Sequence, residues 1–185
     1  MRILSSEVVG RVDEEVELAG WVDARRDHGK LIFIDLRDRD GIVQLVFTPK
    51  DEKLRKQADK LRPEWVIQIE GTVAKRPADM INPDLETGEL EVQVSELQVL
   101  AEAETPPFPL DTDGYEIDEE LRLKYRYLDL RRPRLQKNIK LRSEFIRLIR
   151  EFLFKKDFVE IETPILTKAT PEGARDFIVP SRLQP

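Results

Sequence analysis

The chain has 185 residues, of which 40% are hydrophobic and 37% are charged, and its formal net charge is −6. This length and hydrophobic content suffice for one core of ordinary size and the beginning of a second. The absence of cysteine and the single histidine, His28, exclude disulfides and thiol chemistry and argue against a multi-histidine metal site or a Ser-His-Asp triad.

The net negative charge also excludes a global attraction to polyanions, so nucleic-acid binding would depend on local basic patches. The N-terminal residues MRILSSEVVG lack the basic and apolar regions of a signal peptide. No apolar run in the sequence is long enough to cross a membrane. We therefore expect a cytoplasmic protein that does not bind membranes.

The first hundred residues contain five segments that are rich in β-branched residues, often alternate in polarity and are separated by turn residues. These segments are Val16–Asp23, Leu31–Arg37, Ile42–Phe47, Trp65–Val73 and Leu90–Leu100. The Asp40-Gly41 pair predicts a hairpin between the second and third, and the charged run 50–61, followed by Pro63, predicts a helix before the fourth. This order is that of an OB-fold barrel over residues 1–103, although other small β domains share it.

A change of character follows the predicted barrel. Residues 104–118 contain Pro106, Pro107, Pro109 and Gly114, which predicts a connector because prolines interrupt both helices and sheets. From Glu119 the sequence becomes helical, and a stripe of apolar residues at helical spacing predicts a long helix over 135–156. A short strand is predicted over 158–161, ended by Pro164. We therefore expect an α+β protein whose second domain, 119–185, continues beyond this sequence.

The second predicted strand carries an aromatic residue among charged ones. Strict alternation places Ile32, Ile34 and Leu36 on one face and Leu31, Phe33, Asp35 and Arg37 on the other. A large ring on the polar face either packs beneath a neighbouring loop or is an exposed platform for a nucleic-acid base, where stacking contributes roughly 1–3 kcal/mol.

The residues around Phe33 favour the platform. Cations and an amide surround it in the predicted hairpin: Arg25, Arg26, His28, Lys30, Arg37, Arg39 and Gln44. Rings that stack, arginines that bind phosphates and amides or carboxylates that bind base edges are typical of single-stranded RNA recognition. The alternative is a solvated lattice in which the nearby aspartates neutralise these arginines, and a solvated turn residue is the simpler interpretation of His28.

Two later segments allow two interpretations each. The segment 122–142 is strongly basic, with Asp129 its only acid, which is typical either of an exposed helix face or of a nucleic-acid or partner contact. The apolar stripe of the long helix suits a core or a partner subunit. In the loop ATPEGARD, Glu172 lies between Pro171 and Gly173, where an acid could bind an ammonium group or simply be solvated.

Four blocks, taken together and in order, resemble the N-terminal portion of bacterial-type aspartyl-tRNA synthetases, a family of class II aminoacyl-tRNA synthetases. They are WVDARRDHGKLIFIDLRDRDGIVQLVF, LRPEWVIQIEGTVAKRP, EELRLKYRYLDLRRP and DFVEIETPILTKATPEGARDFIVPSR. The resemblance implies an OB-fold anticodon-binding domain over 1–103, a hinge over 104–118, and the start of a class II catalytic domain, with its motif 1 helix and strand, over 119–185.

The resemblance also implies roles for residues of the barrel. Phe33 would stack on the central anticodon base and Gln44 would bind its edge, while the other anticodon nucleotides would contact Arg26, Arg76, Asn82 and Glu91. Members of the family often have arginine where this chain has Ala24 and Ala74, so phosphate contacts from these two positions are not expected. A histidine at the position of His28 accompanies, in some relatives, the charging of tRNA(Asn) as well as tRNA(Asp).

For the second domain, the resemblance implies a homodimer interface that includes Phe145, Ile149 and Pro164, a mobile loop in which Glu172 meets the ammonium group of the substrate aspartate, and Ser181 near the same pocket. ATP and Mg²⁺ bind to motifs 2 and 3 of the family, which this sequence does not include. We therefore expect no catalytic residue, metal site or bound cofactor in this chain, and no aspartyl-adenylate formation by it alone.

The resemblance thus implies part of an aspartate–tRNA ligase of translation that uses aspartate and ATP and charges tRNA(Asp), with tRNA(Asn) left open. Two alternatives remain: a free-standing tRNA-binding fragment, and a general single-stranded nucleic-acid binder with an OB-fold. Asparaginyl- and lysyl-tRNA synthetases share the architecture, but the loop containing GARD favours the aspartate enzyme.

Overall fold

The five alternating segments form five strands in the computed structural model, which describes residues 2–166 and 179–183. The strands are β1 (Glu15–Asp27), β2 (Ile32–Arg37), β3 (Ile42–Phe47), β4 (Val66–Lys75) and β5 (Leu90–Ala101). They close into a barrel in the order β1-β2-β3-β5-β4, with a parallel pairing of β3 with β5 and antiparallel pairings elsewhere. This order confirms the predicted OB-fold.

The core of the barrel consists of the inward-facing residues of every strand. On β2 these are Ile32, Ile34 and Leu36, each at most 1% exposed, as alternation predicts. The helix α1 (Glu52–Lys60) covers one side of this core with Leu54 and Ala58. Its N-terminus is capped by Asp51, whose side chain accepts a hydrogen bond from Leu54 N at 2.9 Å.

A buried ion pair organises the connector after the barrel. Two short helices, α2 (Glu119–Lys124) and α3 (Arg126–Asp129), follow it. Asp129 and Arg132 are both fully buried, and Arg132 Nε donates to Asp129 Oδ1 at 2.7 Å. Arg132 Nη1 also donates to Thr112 O at 2.7 Å, and its guanidinium lies 5.3 Å from the ring centroid of Phe108. The basic segment therefore uses this arginine to fold the connector.

A second ion cluster joins the helical segment to the barrel. Glu64, only 5% exposed, accepts hydrogen bonds at 2.7 and 2.9 Å from Arg37 of β2, and it also pairs with Arg131. The guanidinium of Arg131 lies 5.5 Å from the ring centroid of Trp21. Glu64 has a φ of +68°, a strained conformation for a residue with a side chain, so these contacts hold the backbone there.

The chain forms two compact units, Met1–Gln136 and Lys137–Pro185. The first unit therefore continues past the predicted barrel domain and connector. The long helix α4 spans Pro133–Phe154, close to its predicted range. Among the described residues, no helix has the length and apolar character needed to cross a membrane.

The strand predicted over 158–161 is not formed. Residues 158–164 have no regular secondary structure, since a strand forms only against a neighbouring strand and none of the five described strands pairs with this segment. Apolar side chains along α4 are exposed, among them Leu141 at 67% and Phe152 at 63%. Part of this apolar surface lines a groove of about 300 Å³ formed with residues 158–160.

Candidate nucleic-acid interface

The strand register aligns one row of residues across the outer surface of all five strands. Asp35 of β2 lies opposite Gln44 of β3, Gln44 lies opposite Glu91 of β5, and the ends of the row are Ala24 of β1 and Ala74 of β4. A carboxylate, an amide and a second carboxylate are thus neighbours on one surface. The two alanines that differ from the family pattern flank them.

Phe33 lies on the outer surface beside this row but is not exposed. It is outside the core cluster and opposite Arg26 and Val46 in the register, yet only 7% of it is accessible. The ring of His28 meets it edge-on, with centroids 5.4 Å apart and an interplanar angle of 86°. The outward direction agrees with the alternation argument, whereas the expectation of an exposed ring is wrong because the β1–β2 turn packs His28 against it.

Arg26 is held by a carboxylate of the row. Its Nη1 and Nη2 donate to Asp35 Oδ2 and Oδ1, both at 2.7 Å, and this bidentate bond raises the pKa of Arg26. At this pair, the alternative in which aspartates neutralise the arginines is confirmed. The ion pair also fixes the direction of the guanidinium, and the Arg26 side chain as a whole is 45% exposed.

Gln44 and Glu91 form the centre of the row, and each is 8% exposed. Gln44 Nε2 donates to Glu91 Oε2 at 3.3 Å. Burial raises the pKa of Glu91, although the charge of Arg76 and the bond from Gln44 act in the opposite direction. The two side chains together present amide and carboxylate groups, which are suited to hydrogen bonding with a base edge.

Arg76 lies directly after β4 and is also 8% exposed. Its Nε donates to Leu90 O at 2.7 Å, and burial lowers its pKa despite the attraction of Asp35 and Glu91. Its Nη2 is a buried donor with no hydrogen-bond partner among the residues that the structure describes. Such a donor suits an acceptor supplied by a ligand, such as a phosphate or a base oxygen.

Asn82 belongs to the loop between β4 and β5, and its bonds shape that loop. Its side-chain oxygen accepts from Asp84 N at 3.0 Å, and its backbone N donates to Gly88 O at 3.1 Å. A Cβ on Gly88 would lie 1.7 Å from Asn82 O, so glycine is required there. The structure thus brings together Arg26, His28, Phe33, Gln44, Arg76 and Glu91 and places Asn82 in the adjoining loop.

The residues predicted for the second domain are only partly described. Glu172 lies outside the described residues. Ser181 Oγ accepts a hydrogen bond from Leu183 N at 3.2 Å. Phe145 and Ile149 of α4 are 62% and 43% exposed, and Pro164 is exposed as well. Within residues 2–166 and 179–183, no group of three or more histidine, cysteine or acidic side chains could hold a metal ion.

Sequence reasoning missed two residues that shape the interface. The alternation argument places Asp35 on the outer face with Phe33 but assigns it no binding role, although the hairpin register that follows from the Asp40-Gly41 turn places it opposite Gln44. Arg55 of α1 donates from Nη2 to Gly29 O in the β1–β2 turn at 2.6 Å. No local pattern signals this second contact, because it depends on how α1 packs against the barrel.

Two family models match the chain. Residues 16–100 match a model described as an OB-fold nucleic-acid-binding domain, and residues 118–185 match one described as class II tRNA synthetases (D, K and N). The second match is not expected of a general single-stranded nucleic-acid binder.

Curated relatives and a solved structure agree with these matches. The aspartate–tRNA(Asp/Asn) ligase of Rubrobacter xylanophilus is 56% identical over 94% of this chain and 29% of its own length, and the aspartate–tRNA ligase of Staphylococcus haemolyticus is 52% identical over 93% and 29%. The structure of asparaginyl-tRNA synthetase from Pyrococcus horikoshii complexed with asparaginyl-adenylate has a TM-score of 0.78 and 32% identity, covering 94% of this chain and 39% of that one. This chain therefore spans less than a third of the length of these curated relatives.

Proposed function

Since this chain belongs to the bacterial-type aspartyl-tRNA synthetases, within the class II aminoacyl-tRNA synthetases, we propose that its barrel binds the anticodon loop of tRNA(Asp) as part of an aspartate–tRNA ligase. The observation that carries the proposal is the outer surface on which Phe33, Arg26, Arg76 and the pair Gln44–Glu91 lie together. That surface combines a stacking ring, cations for phosphates and hydrogen-bonding groups for base edges.

In this proposal Phe33 stacks on the central anticodon base, and the amide of Gln44 binds the edge of that base. The ring must first be uncovered, because it is 7% exposed with His28 against it. Arg26, Asn82, Arg76 and Glu91 contact the flanking nucleotides. The buried Nη2 of Arg76, which lacks a partner among the described residues, supports a direct contact with a phosphate or base oxygen.

Titration of the chain with the anticodon stem–loop of tRNA(Asp) tests this proposal. Phe33→Leu keeps an apolar side chain at the position but removes the aromatic face, so we expect binding weaker by about fivefold or more, given roughly 1–3 kcal/mol per stacked base. Phe47→Leu is the matched control, since Phe47 lies in the core at 0% exposure. It should lower stability without a comparable loss of RNA affinity. Equal stem–loop affinities for Phe33→Leu and the parent chain would refute the proposal.

Gln44→Ala tests the assignment at the base edge. The change removes the amide of a residue that is 8% exposed and bonded to Glu91. We expect the preference for the cognate central base over a substituted one to fall about tenfold. A site that binds a base edge discriminates because the wrong base leaves buried polar groups of the site without hydrogen-bond partners. Stem–loops that differ only at the central base supply the comparison, and an unchanged preference would remove Gln44 from this role.

The range of tRNA substrates is part of the same proposal. The relative from R. xylanophilus is named for both tRNA(Asp) and tRNA(Asn), and it is 56% identical to this chain. We extend the proposal to tRNA(Asn) on that basis. A charging assay with the complete protein and each tRNA is the test, and charging of tRNA(Asp) alone would reject the extension.

The complete ligase would use ATP and Mg²⁺ to activate aspartate. None of the described residues forms a metal-binding group, so the chemistry of activation is not assigned to them. Glu172 and Ser181 remain predicted contacts of the aspartate. We expect no pyrophosphate exchange with aspartate and ATP above background for this chain alone, because the preorganised charges that stabilise adenylate formation lie in motifs that it lacks.

We also propose that the complete enzyme is a cytoplasmic homodimer. The exposed apolar residues of α4, including Phe145 and Ile149, support an interface there together with Pro164, since large apolar patches mark interaction surfaces. Sedimentation of the complete protein tests the dimer. Phe145→Glu should shift it towards monomer, and a dimer unaffected by this change would place the interface elsewhere.

A further inference from the structure

A hydrogen bond from α1 holds the turn between β1 and β2. Arg55 Nη2 donates to Gly29 O at 2.6 Å. The same helix and β1 are joined by an ion pair between Asp59 and Arg25. Two residues on one face of α1, four positions apart, therefore fix the strand end and the turn that follows it. The proposed recognition of RNA assigns no role to either contact.

The turn itself is narrowly defined. Gly29 has a φ of +75°, and its N donates to Asp27 Oδ1 at 2.8 Å. His28 N donates to Leu31 O at 2.9 Å. Because the carbonyl of Gly29 is also bound to Arg55, hydrogen bonds hold the turn on both sides of its apex. These bonds also fix the direction in which the side chain of His28 points.

That direction brings His28 against Phe33. The two ring centroids are 5.4 Å apart at 86°, an ordinary edge-to-face geometry, and Phe33 is 7% exposed as a result of this and its strand neighbours. His28, the neighbour of the Gly29 that Arg55 holds, therefore covers the ring of Phe33, which the proposed function assigns to a nucleotide base.

We propose that Arg55 is a positioning residue of the anticodon site, which holds the turn 28–30 so that His28 covers Phe33 until RNA displaces it. The inference rests on the proposed function of Phe33. A base and the imidazole compete for the same ring, so the measured affinity reflects the fraction of molecules in which the ring is uncovered. Arg55 lowers that fraction and so weakens the binding of any base to this ring by the same factor.

The single histidine of the chain gives a direct measurement. At a fixed alkaline pH, the Hδ2 and Hε1 signals of His28 report the ring current of Phe33. The Phe33→Leu variant is the reference, because it gives the chemical shifts of the His28 signals in the absence of the Phe33 ring. We expect Arg55→Met to move both signals towards these chemical shifts, and Arg55→Lys, which keeps a donor, to move them less.

RNA binding gives the second measurement. Arg55→Met should bind the stem–loop about threefold more tightly than Lys53→Met, since an exposed hydrogen bond that favours the covered state is lost. Lys53→Met is the matched control because it removes one cation from the same helix at an exposed position. Comparing the two variants separates the effect on the turn from the general loss of attraction to phosphates.

Gly29→Ala is an independent variant. A Cβ at Gly29 has nothing within 4 Å, but φ is +75°, so alanine strains the turn while leaving Arg55 in place. The same movement of the His28 signals is expected. His28 signals unchanged by Arg55→Met, or a stem–loop affinity for Arg55→Met below that of Lys53→Met, would overturn the inference.

The NMR experiment needs no RNA, so it tests the positioning of His28 even if the anticodon proposal fails. Absence of stem–loop binding by the parent chain refutes the proposed function. Normal binding by the parent chain, with unmoved His28 signals in Arg55→Met, refutes only the role of Arg55.

Discussion

Asp38 and Glu91 are two carboxylates whose pKa values the fold shifts in opposite directions. Burial acts to raise the pKa of Asp38, but hydrogen bonds from Ser5 Oγ and from the backbone N of Ser5, Asp40 and Gly41 outweigh it, so the pKa is lowered. Burial raises the pKa of Glu91, and Arg76 and Gln44 offset this only in part. The two pKa shifts differ in direction because Asp38 accepts more hydrogen bonds than Glu91 does.

Asp38→Asn should therefore destabilise the chain at neutral pH. The carboxylate accepts hydrogen bonds of 2.6, 2.7, 2.9 and 3.1 Å, and an amide replaces one acceptor oxygen by a donor. We expect a loss of about 1–3 kcal/mol in the free energy of unfolding. Because the pKa of Asp38 is lower in the folded chain, its carboxylate stabilises the fold at pH values above the unfolded pKa of about 3.9, and this stabilisation is lost as the pH falls. In urea titrations, the difference in the free energy of unfolding between the parent chain and Asp38→Asn should therefore shrink in acid.

Asp40→Asn is the control for this change, because Asp40 is exposed and accepts one long side-chain bond from Ser6 at 3.0 Å. Its effect should stay within about 0.5 kcal/mol. A penalty for Asp38→Asn that does not change between neutral and acid pH would show that the charge is not the cause.

Glu91→Gln should have the opposite dependence on pH. A carboxyl group with a raised pKa destabilises the folded state where it is ionised, and this cost disappears as the pH falls below the unfolded value of about 4.3. The variant should therefore equal or exceed the parent in stability at neutral pH and lose that relative advantage in acid. Thermal unfolding at several pH values measures this. Glu89→Gln, at an exposed neighbouring position, should show no such trend.

At the scale of single elements, the connector depends on one buried ion pair. Asp129 and Arg132 are fully buried, so removing one charge leaves the other without its partner in a site of low polarity. We expect Asp129→Asn to cost about 3–5 kcal/mol. Because the bonds of Arg132 reach Thr112, the loss should appear as faster amide hydrogen exchange in residues 108–132.

The barrel strands should keep their protection in that experiment, because the ion pair lies outside the core cluster. Asp113→Asn removes a charge from the same connector at an exposed position and should leave exchange nearly unchanged. Equal exchange in Asp129→Asn and the parent chain would show that the pair does not hold the connector.

The elements were predictable where their pattern is local. Period-two alternation and turn residues predicted β2, β3 and the hairpin between them, and the OB-fold order followed. The segment 158–161 has the composition of a strand, but composition supplies no neighbour to pair with. The role of Arg131 in the basic segment could not be interpreted from sequence, because its partner Glu64 lies far away in the chain, shortly before β4.

The candidate site was predictable only in part for the same reason. Alternation placed Phe33 on the outer face, but its burial depends on the turn that carries His28. The neighbourhood of Gln44 and Glu91 follows from a parallel pairing of strands far apart in sequence. Their proximity was therefore implied by resemblance to a family and not by any local pattern.

At the scale of the whole molecule, anticodon binding should belong to the first unit alone. All residues of the candidate interface lie within Met1–Gln136. A chain shortened after Gln136 should bind the stem–loop within about twofold of the parent, a difference of about 0.4 kcal/mol, and should unfold cooperatively. A loss of binding with the barrel still folded would show that later residues contribute to the RNA site.

The parallel pairing of β3 with β5 joins Gln44 to Glu91, Leu45 to Val92 and Val46 to Gln93. Contacts of such long range form only when both segments of the chain exist. During synthesis, a nascent chain that has not yet exposed Leu90 cannot close the barrel and carries only part of the proposed RNA-binding surface. Translation therefore completes this surface at a late step, when the fifth strand leaves the ribosome.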